Sequence, residues 1–180
     1  MFRVSKDTPA FYLTSVAKDR LPVFRTDPIA KITCDAVNEA RNSGNFLIFA
    51  YVIMPDHIHL VTDSSRGSKD VHRFVNGIVS RRVIDHVKQN GHTESLKKLQ
   101  TASRSDGSQY TLWQHHPDTR ILWNEKMLWQ RIQYTHLNPV RAGLVEKQND
   151  WKWSSARIFH KCREEDEPLD VDLDKIQWRR

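Results

Sequence analysis

The sequence predicts a single mixed α/β domain. Its 180 residues fit one domain better than two. An apolar run at 46–54 is broken by Pro55-Asp56 and resumes at 57–62, as two strands separated by a turn would. Three further stretches space their apolar residues as helices do. Hydrophobic residues make up 38% of the chain, with six Trp and seven Phe, enough apolar area for a core, so global disorder is excluded.

Taken in order, Phe11 to Val16 is rich in aromatic and β-branched residues and reads as a first strand. Asp27 then serves as an N-cap with Pro28 at the first helical position. Ile29, Ile32, Ala36, Val37 and Ala40 follow at helical spacing until Ser43-Gly44 stops the run. The continuous apolar run Phe46 to Met54 suits a central strand covered on both faces. His57 to Thr62 either pairs with it as an antiparallel hairpin or continues it past a kink. Ser68 caps a long helix carrying Val71, Phe74, Val75, Ile78, Val79 and Val83 on one face, with Gly91 as its stop. Residues 92–109 are polar with few apolar anchors and read as a mobile loop. Short strands are expected at 110–114 and 119–123. Asn124 caps a last helix with Met127, Leu128, Ile132 and Tyr134, ending near Asn138-Pro139, because a residue before proline avoids the α region.

The chain carries +6 overall, and the charge is uneven. Residues 161–180 hold seven acids against five bases, net −2, which leaves +8 on residues 1–160. A basic body attracts phosphate-bearing partners through counterion release and steering. The acidic end reads as a separate tail: either a solubilising end or a segment that lies across a basic groove and competes with a polyanion. No stretch approaches the roughly 20 apolar residues of a membrane span, and the N-terminus lacks a signal-peptide apolar core. The expectation is a cytoplasmic, nucleoid-associated protein with no membrane partner. Cys34 and Cys162 are far apart and form neither a metal-spaced pair nor a disulfide framework, so both are expected reduced.

Two constellations carry chemistry. His57 and His59 sit at i and i+2 on a strand, so both point to one face, with roots about 6.6–7 Å apart, while Ile58 faces the core. Such a pair can grip one metal ion if a third ligand joins it. Nitrogen donors with an amide or carboxylate oxygen would suit Mg²⁺ or Mn²⁺ rather than a structural zinc cage. The second is Gln133 to Val145, where Tyr134 and Asn138 share a helix face four residues apart. Taken singly, each feature has an ordinary reading: polar residues on a solvated strand, a half-buried helical tyrosine, a helix-end asparagine.

Together they resemble a known family. Met54-Pro55-Asp56-His57-Ile58-His59-Leu60-Val61, followed by Tyr134-Thr135-His136-Leu137-Asn138-Pro139-Val140-Arg141-Ala142-Gly143-Leu144-Val145, looks like the REP-associated tyrosine transposases, a branch of the single-tyrosine HUH (IS200-like) transposases. The likeness extends to Phe11–Phe24, to Leu112-Trp113-Gln114 and to Trp153-Ser154-Ser155-Ala156. Only 92–109 and the chain from about residue 161 match nothing in it.

This resemblance implies an HUH endonuclease fold: a ferredoxin-like antiparallel sheet carrying helices on one side, over residues 1–160. It also implies roles. His57 and His59 match the His-hydrophobic-His ligands of a divalent metal, Mg²⁺ or Mn²⁺, that polarises the scissile phosphate of single-stranded DNA. Tyr134 matches the nucleophile that forms a 5′-phosphotyrosine link and frees a 3′-hydroxyl. Relatives place a polar side chain, often Gln, one turn after the tyrosine, and Asn138 is the match here. His136 is the alternative, although it points about 200° from Tyr134 on a helix. The partner implied is a REP-like palindromic single-stranded DNA hairpin, bound by a monomer or homodimer. Arg73, Arg81, Arg82, Lys88 and Arg141 are the candidate phosphate contacts, and Trp113, Trp123 and Trp129 either stack on bases or fill the core. Against the enzyme stand a catalytically silent hairpin-binding module and a metal-binding regulator.

Overall fold

The structure is a computed structural model that describes residues 1–101, 107, 109–114 and 116–178. Its sheet is built from β1 (Ala10–Val16), β2 (Ile48–Ile53), β3 (His57–Thr62) and β4 (Asp118–Leu122), in the order β2-β3-β1-β4 with every neighbouring pair antiparallel. Helix α1 (Asp27–Gly44) joins β1 to β2, and α2 (Ser68–Gln89) with the short α3 (Thr93–Leu99) joins β3 to β4. This βαββαβ order is the ferredoxin-like arrangement. Helix α4 (Glu125–Arg141) and the single turn α5 (Ala156–Phe159) follow.

Strand alternation sorts the sheet into two faces. Leu13, Ile58 and Leu60 meet Val37 of α1 and Val75 and Val79 of α2 in the larger core. Tyr12, Phe49 and Val61 meet Leu128 and Ile132 of α4 in the second. Helices therefore cover both faces, not one side as the resemblance implied, because β1 and β3 carry apolar residues on both sides of the pleat.

Within 46–54 the strand β2 is fully buried as expected, yet it is an edge strand, not a central one. Its outer edge is covered by later chain. Ile53 N–H donates to the Trp153 carbonyl (2.8 Å), Val52 bridges Ser154, and Asp172 exchanges bonds with Ile48 through both its backbone and its carboxylate. The hairpin alternative holds for β2 and β3, with a register irregularity between Ile48 and Ala50.

Residues 161–178 are not a free acidic tail. Leu169 is buried in the larger core and Ile176 in the second, and Ile176 bridges Phe2. The acids are partly spent on pairing: Glu164 and Glu167 with the buried Arg157, and Asp172 with Arg41.

Several boundaries differ from the sequence reading. Thr26 and Gly67, not Asp27 and Ser68, are the N-caps of α1 and α2, and Asn45 in the left-handed region closes α1. Asn124 does cap α4, its side chain accepting from Met127 N–H at 2.9 Å. That helix continues through Pro139 to Arg141. A proline in the last turn removes only one helical bond. The stop comes at Gly143 (φ 67°), where Gly143 N–H bonds the Val140 carbonyl and Leu144 N–H the Pro139 carbonyl, a Schellman closure. Within 92–109, Thr93–Leu99 is helical and anchored by buried Leu99, while 102–106 and 108 lie outside the described residues. The expected strand at 110–114 is reduced to single bridges, Tyr110 with Gln100 and Trp113 with Ala17.

Candidate active site

The two histidines leave β3 on the face that α4 covers. The register opposes His59 to Thr14 and His57 to Val16 on β1, with Tyr12 two residues before Thr14 on the same face. The imidazole rings stand 4.7 Å apart, centroid to centroid, close to perpendicular. Each has Nδ1 engaged by protein. His57 Nδ1 meets Asp56 Oδ1 at 2.6 Å, and His59 Nδ1 meets the Tyr12 hydroxyl at 2.8 Å and the Thr14 hydroxyl at 3.0 Å. Among the described residues no hydrogen bond occupies His57 Nε2, the orientation seen when an outer group fixes a metal-binding histidine.

Helix α4 brings Arg131, Tyr134, Asn138 and Arg141 onto one stripe, since they fall three to four residues apart. The Tyr134 ring lies edge-on to His59 (6.2 Å) and to Tyr12 (6.1 Å). Asn138 donates its side-chain N–H to the Tyr134 carbonyl at 2.8 Å, and the amide is also hydrogen-bonded to His59. Arg141 lies over the Tyr134 ring at 4.8 Å, and Arg131 stands 5.4 Å from both the Tyr134 and the Tyr12 rings. The tyrosines are not equivalent. Tyr12 is buried with its hydroxyl tied to His59, whereas none of the hydrogen bonds among the described residues occupies the Tyr134 hydroxyl.

Electrostatics follow from burial. Burial first, and then the neighbouring His57, push the His59 pKa down to about 3, so its imidazole is neutral at physiological pH and keeps a lone pair. Burial raises the Tyr12 hydroxyl well above the ordinary tyrosine range. At Asp56 burial acts upward, but hydrogen bonds and charges from His57 and Arg20 outweigh it and hold the carboxyl below its usual value. The His57 and His59 imidazoles and the Asn138 amide are thus gathered at one place between β3 and α4. That nitrogen and oxygen donor set fits Mg²⁺ or Mn²⁺. Among the described residues no three His, Cys, Asp or Glu cluster, so a third donor beside the two histidines would have to be of another kind, as the Asn138 amide is.

His136, the alternative third ligand, is excluded by position. It is fully buried, its Nε2 2.9 Å from the Ser155 hydroxyl, with Phe159 against its ring.

The five candidate phosphate contacts separate into three places. Arg73, Arg81 and Lys88 line one groove of about 820 Å³ with Lys69, walled by Tyr110 and Trp113. It lies along α2, on the sheet face opposite α4. Arg82 is held by Glu39 through two nitrogens, at 2.9 and 2.7 Å, and lies outside the groove. Arg141 stands at Tyr134. Of the tryptophans, Trp113 is half-buried against Phe24, while Trp123 and Trp129 are exposed and Trp129 packs on Phe159 and Trp178. Sequence reasoning missed Arg131, Tyr12, Thr14 and Lys69. Helical spacing from Tyr134 could have flagged Arg131, but Tyr12 and Thr14 depend on a strand register that no local signal reveals.

Comparison with known proteins decides the family. Residues 10–115, more than half of the chain, match the family described as "Transposase IS200 like". The chain belongs to the IS200-like transposases. This is a family of enzymes, and the matched stretch contains His57 and His59 but ends before α4. An IS200-like relative from Haemophilus influenzae, assigned as a REP-associated tyrosine transposase, is 26% identical over 154 residues, covering 84% of this chain and 80% of its own. The REP-associated tyrosine transposase of Escherichia coli K12 is 26% identical over 126 residues, covering 70% of this chain and 62% of its own length. Among solved structures, a REP-associated tyrosine transposase bound to a REP hairpin superposes with a TM-score of 0.58 at 19% identity, covering 94% of this chain and 89% of that one, which bears out the fold. No helix among the described residues of this IS200-like chain is long and apolar enough to cross a membrane.

Proposed function

We propose that this IS200-like transposase nicks and rejoins single-stranded DNA at a palindromic hairpin, with Tyr134 as nucleophile and His57, His59 and Asn138 as ligands of a divalent cation. The observation that carries the reading is convergence. A phenol that no hydrogen bond among the described residues occupies, two histidines held at Nδ1 and the Asn138 amide meet between β3 and α4.

The chemistry balances without an added energy source. Tyr134 Oη attacks the scissile phosphorus, a phosphorus–Oη bond forms and the phosphorus–O3′ bond breaks. The phenol proton passes to water and O3′ leaves as a hydroxyl after taking up a proton. Attack by a second 3′-hydroxyl reverses the step and reseals the strand, since phenoxide is a better leaving group than alkoxide. Mg²⁺ or Mn²⁺, when bound, would supply the positive charge that polarises the phosphate oxygens. Arg131 and Arg141 beside the Tyr134 ring add fixed positive charge where the phosphate would sit.

For the DNA partner, the support is the groove of Lys69, Arg73, Arg81 and Lys88, whose cations suit a phosphate backbone. The relative solved with a REP hairpin makes such a hairpin the class to test. Strand β4 serves both faces: Thr119 reaches His72 on the groove side (3.1 Å), while Arg120 stands opposite Tyr12 in the register, on the face that carries the tyrosines.

The test is cleavage of end-labelled single-stranded hairpins drawn from repeats flanking the gene, with Mg²⁺, Mn²⁺ or EDTA. Metal-dependent nicking that leaves a free 3′-hydroxyl is expected. Tight binding with no cleavage under any metal would point instead to a silent hairpin-binding module.

A further inference from the structure

The turn before the histidines carries an arrangement that the nucleophile and the ligand set leave unexplained. Asp56 Oδ1 meets His57 Nδ1 at 2.6 Å, and Asp56 Oδ2 takes a hydrogen bond from Arg20 Nη1 at 3.0 Å. An ionised carboxylate only accepts, so Nδ1 of a neutral His57 must carry the proton and the lone pair must reside on Nε2. We propose that Arg20 and Asp56 are positioning residues for the cation: Arg20 fixes the Asp56 carboxylate, which fixes the tautomer and ring of His57 so that Nε2 is presented beside His59. The inference rests on His57 being a ligand.

Three further observations support it. Asp19 and Arg20 both have φ 52°, a left-handed conformation that non-glycine residues keep only where their surroundings impose it. The segment is clasped to the turn it serves: Ala17 N–H donates to the Asp56 carbonyl (2.8 Å) and Phe24 N–H to the Pro55 carbonyl (2.9 Å). The Arg20 side chain is 66% exposed, and so open an ion pair adds little to stability, which leaves its placement unexplained by folding. His59 Nδ1 is engaged by another route, with two hydroxyls in place of a carboxylate.

The experiment uses the full chain without DNA. Mn²⁺ affinity is measured by the electron paramagnetic resonance signal of free Mn²⁺, and ring tautomers by long-range ¹H–¹⁵N spectra. Asp56→Ala should weaken Mn²⁺ binding by about 10–100-fold and release His57 from the Nδ1–H tautomer. Asp56→Asn, whose Oδ1 still accepts from Nδ1–H, should recover part of both. Arg20→Ala should weaken binding by a smaller factor with no change in melting temperature, and it decides the matter if the Asp56 variants do not fold. His57→Ala is the control for the ligand itself. Loss of binding in His57→Ala together with unchanged Mn²⁺ affinity in Asp56→Ala and Arg20→Ala overturns the positioning role and leaves the ligand in place. Unchanged binding in His57→Ala overturns the ligand, and the positioning role with it.

Discussion

Asn138 hydrogen-bonds the carbonyl of Tyr134, side-chain N–H to oxygen at 2.8 Å, one turn along α4. The same amide is also hydrogen-bonded to His59. One short side chain thereby ties the proposed nucleophile's backbone to the proposed metal site.

Replacing Asn138 with Ala should therefore do two separable things. Mn²⁺ affinity should drop at least about tenfold, as expected when one ligand of three is lost, and stability should fall by about 1 kcal/mol for the hydrogen bond. Isothermal titration and urea melts read the two. Undiminished Mn²⁺ affinity would remove Asn138 from the ligand set.

Groove cations can be sorted by salt dependence. Arg73→Ala and Lys88→Ala should each lower the slope of log affinity against log salt by about one, because both line the groove. Arg82→Ala should leave the slope unchanged, its guanidinium being held by Glu39. Equal effects at all three positions would mean that the groove does not define the DNA path.

Stability of the metal-free protein should fall with acid. Burial, the larger cause, and the nearby His160 push the His136 pKa down to about 3. The unfolded chain, with an ordinary histidine pKa near 6.5, then takes up a proton that the folded chain refuses. Stability is full above about 6.5 and is lost progressively as the pH drops, by up to about 2 kcal/mol between pH 6.5 and 5. Thermal melts across pH 7 to 5 check this. His136→Gln should reduce the slope without abolishing it, because burial holds His59 down to about 3 as well, and an unchanged slope in that variant would assign the acid sensitivity elsewhere.

Much of the site was legible in the sequence because periodicity carries it. Strand alternation puts His57 and His59 on one face, and helical spacing puts Tyr134 and Asn138 on another, so only the meeting of the two faces had to be supplied by the fold. Fine sorting of the arginines was not legible. Arg81 and Arg82 are neighbours in sequence and both reach Glu39 on a different helix, at 3.4 and 2.7 Å, yet only Arg81 also lines the groove. Polarity also misled at both ends of the charge scale. The Thr93–Leu99 helix was hidden by its lysines although Leu96 and Leu99 lie three apart. The chain after 161 was hidden by its acids although Leu169 and Ile176 seat in the two cores.

That packing gives a prediction of its own. Leu169→Ala should cost about 2–5 kcal/mol, as for other buried leucines, and deletion of 161–180 should unfold the chain instead of strengthening DNA binding. Chemical denaturation decides it. A truncated chain with undiminished stability would return the segment to the status of a solubilising tail.

The central claim is that Tyr134 forms the covalent bond to DNA. The most direct measurement is a denaturing gel, with mass analysis of the tryptic peptides, of the chain and its Tyr134→Phe variant after incubation with Mn²⁺ and labelled single-stranded hairpins. A metal-dependent adduct on the Tyr134 peptide that vanishes in the variant, with hairpin affinity held within a few fold, is the predicted result. An adduct that persists in Tyr134→Phe would contradict the assignment.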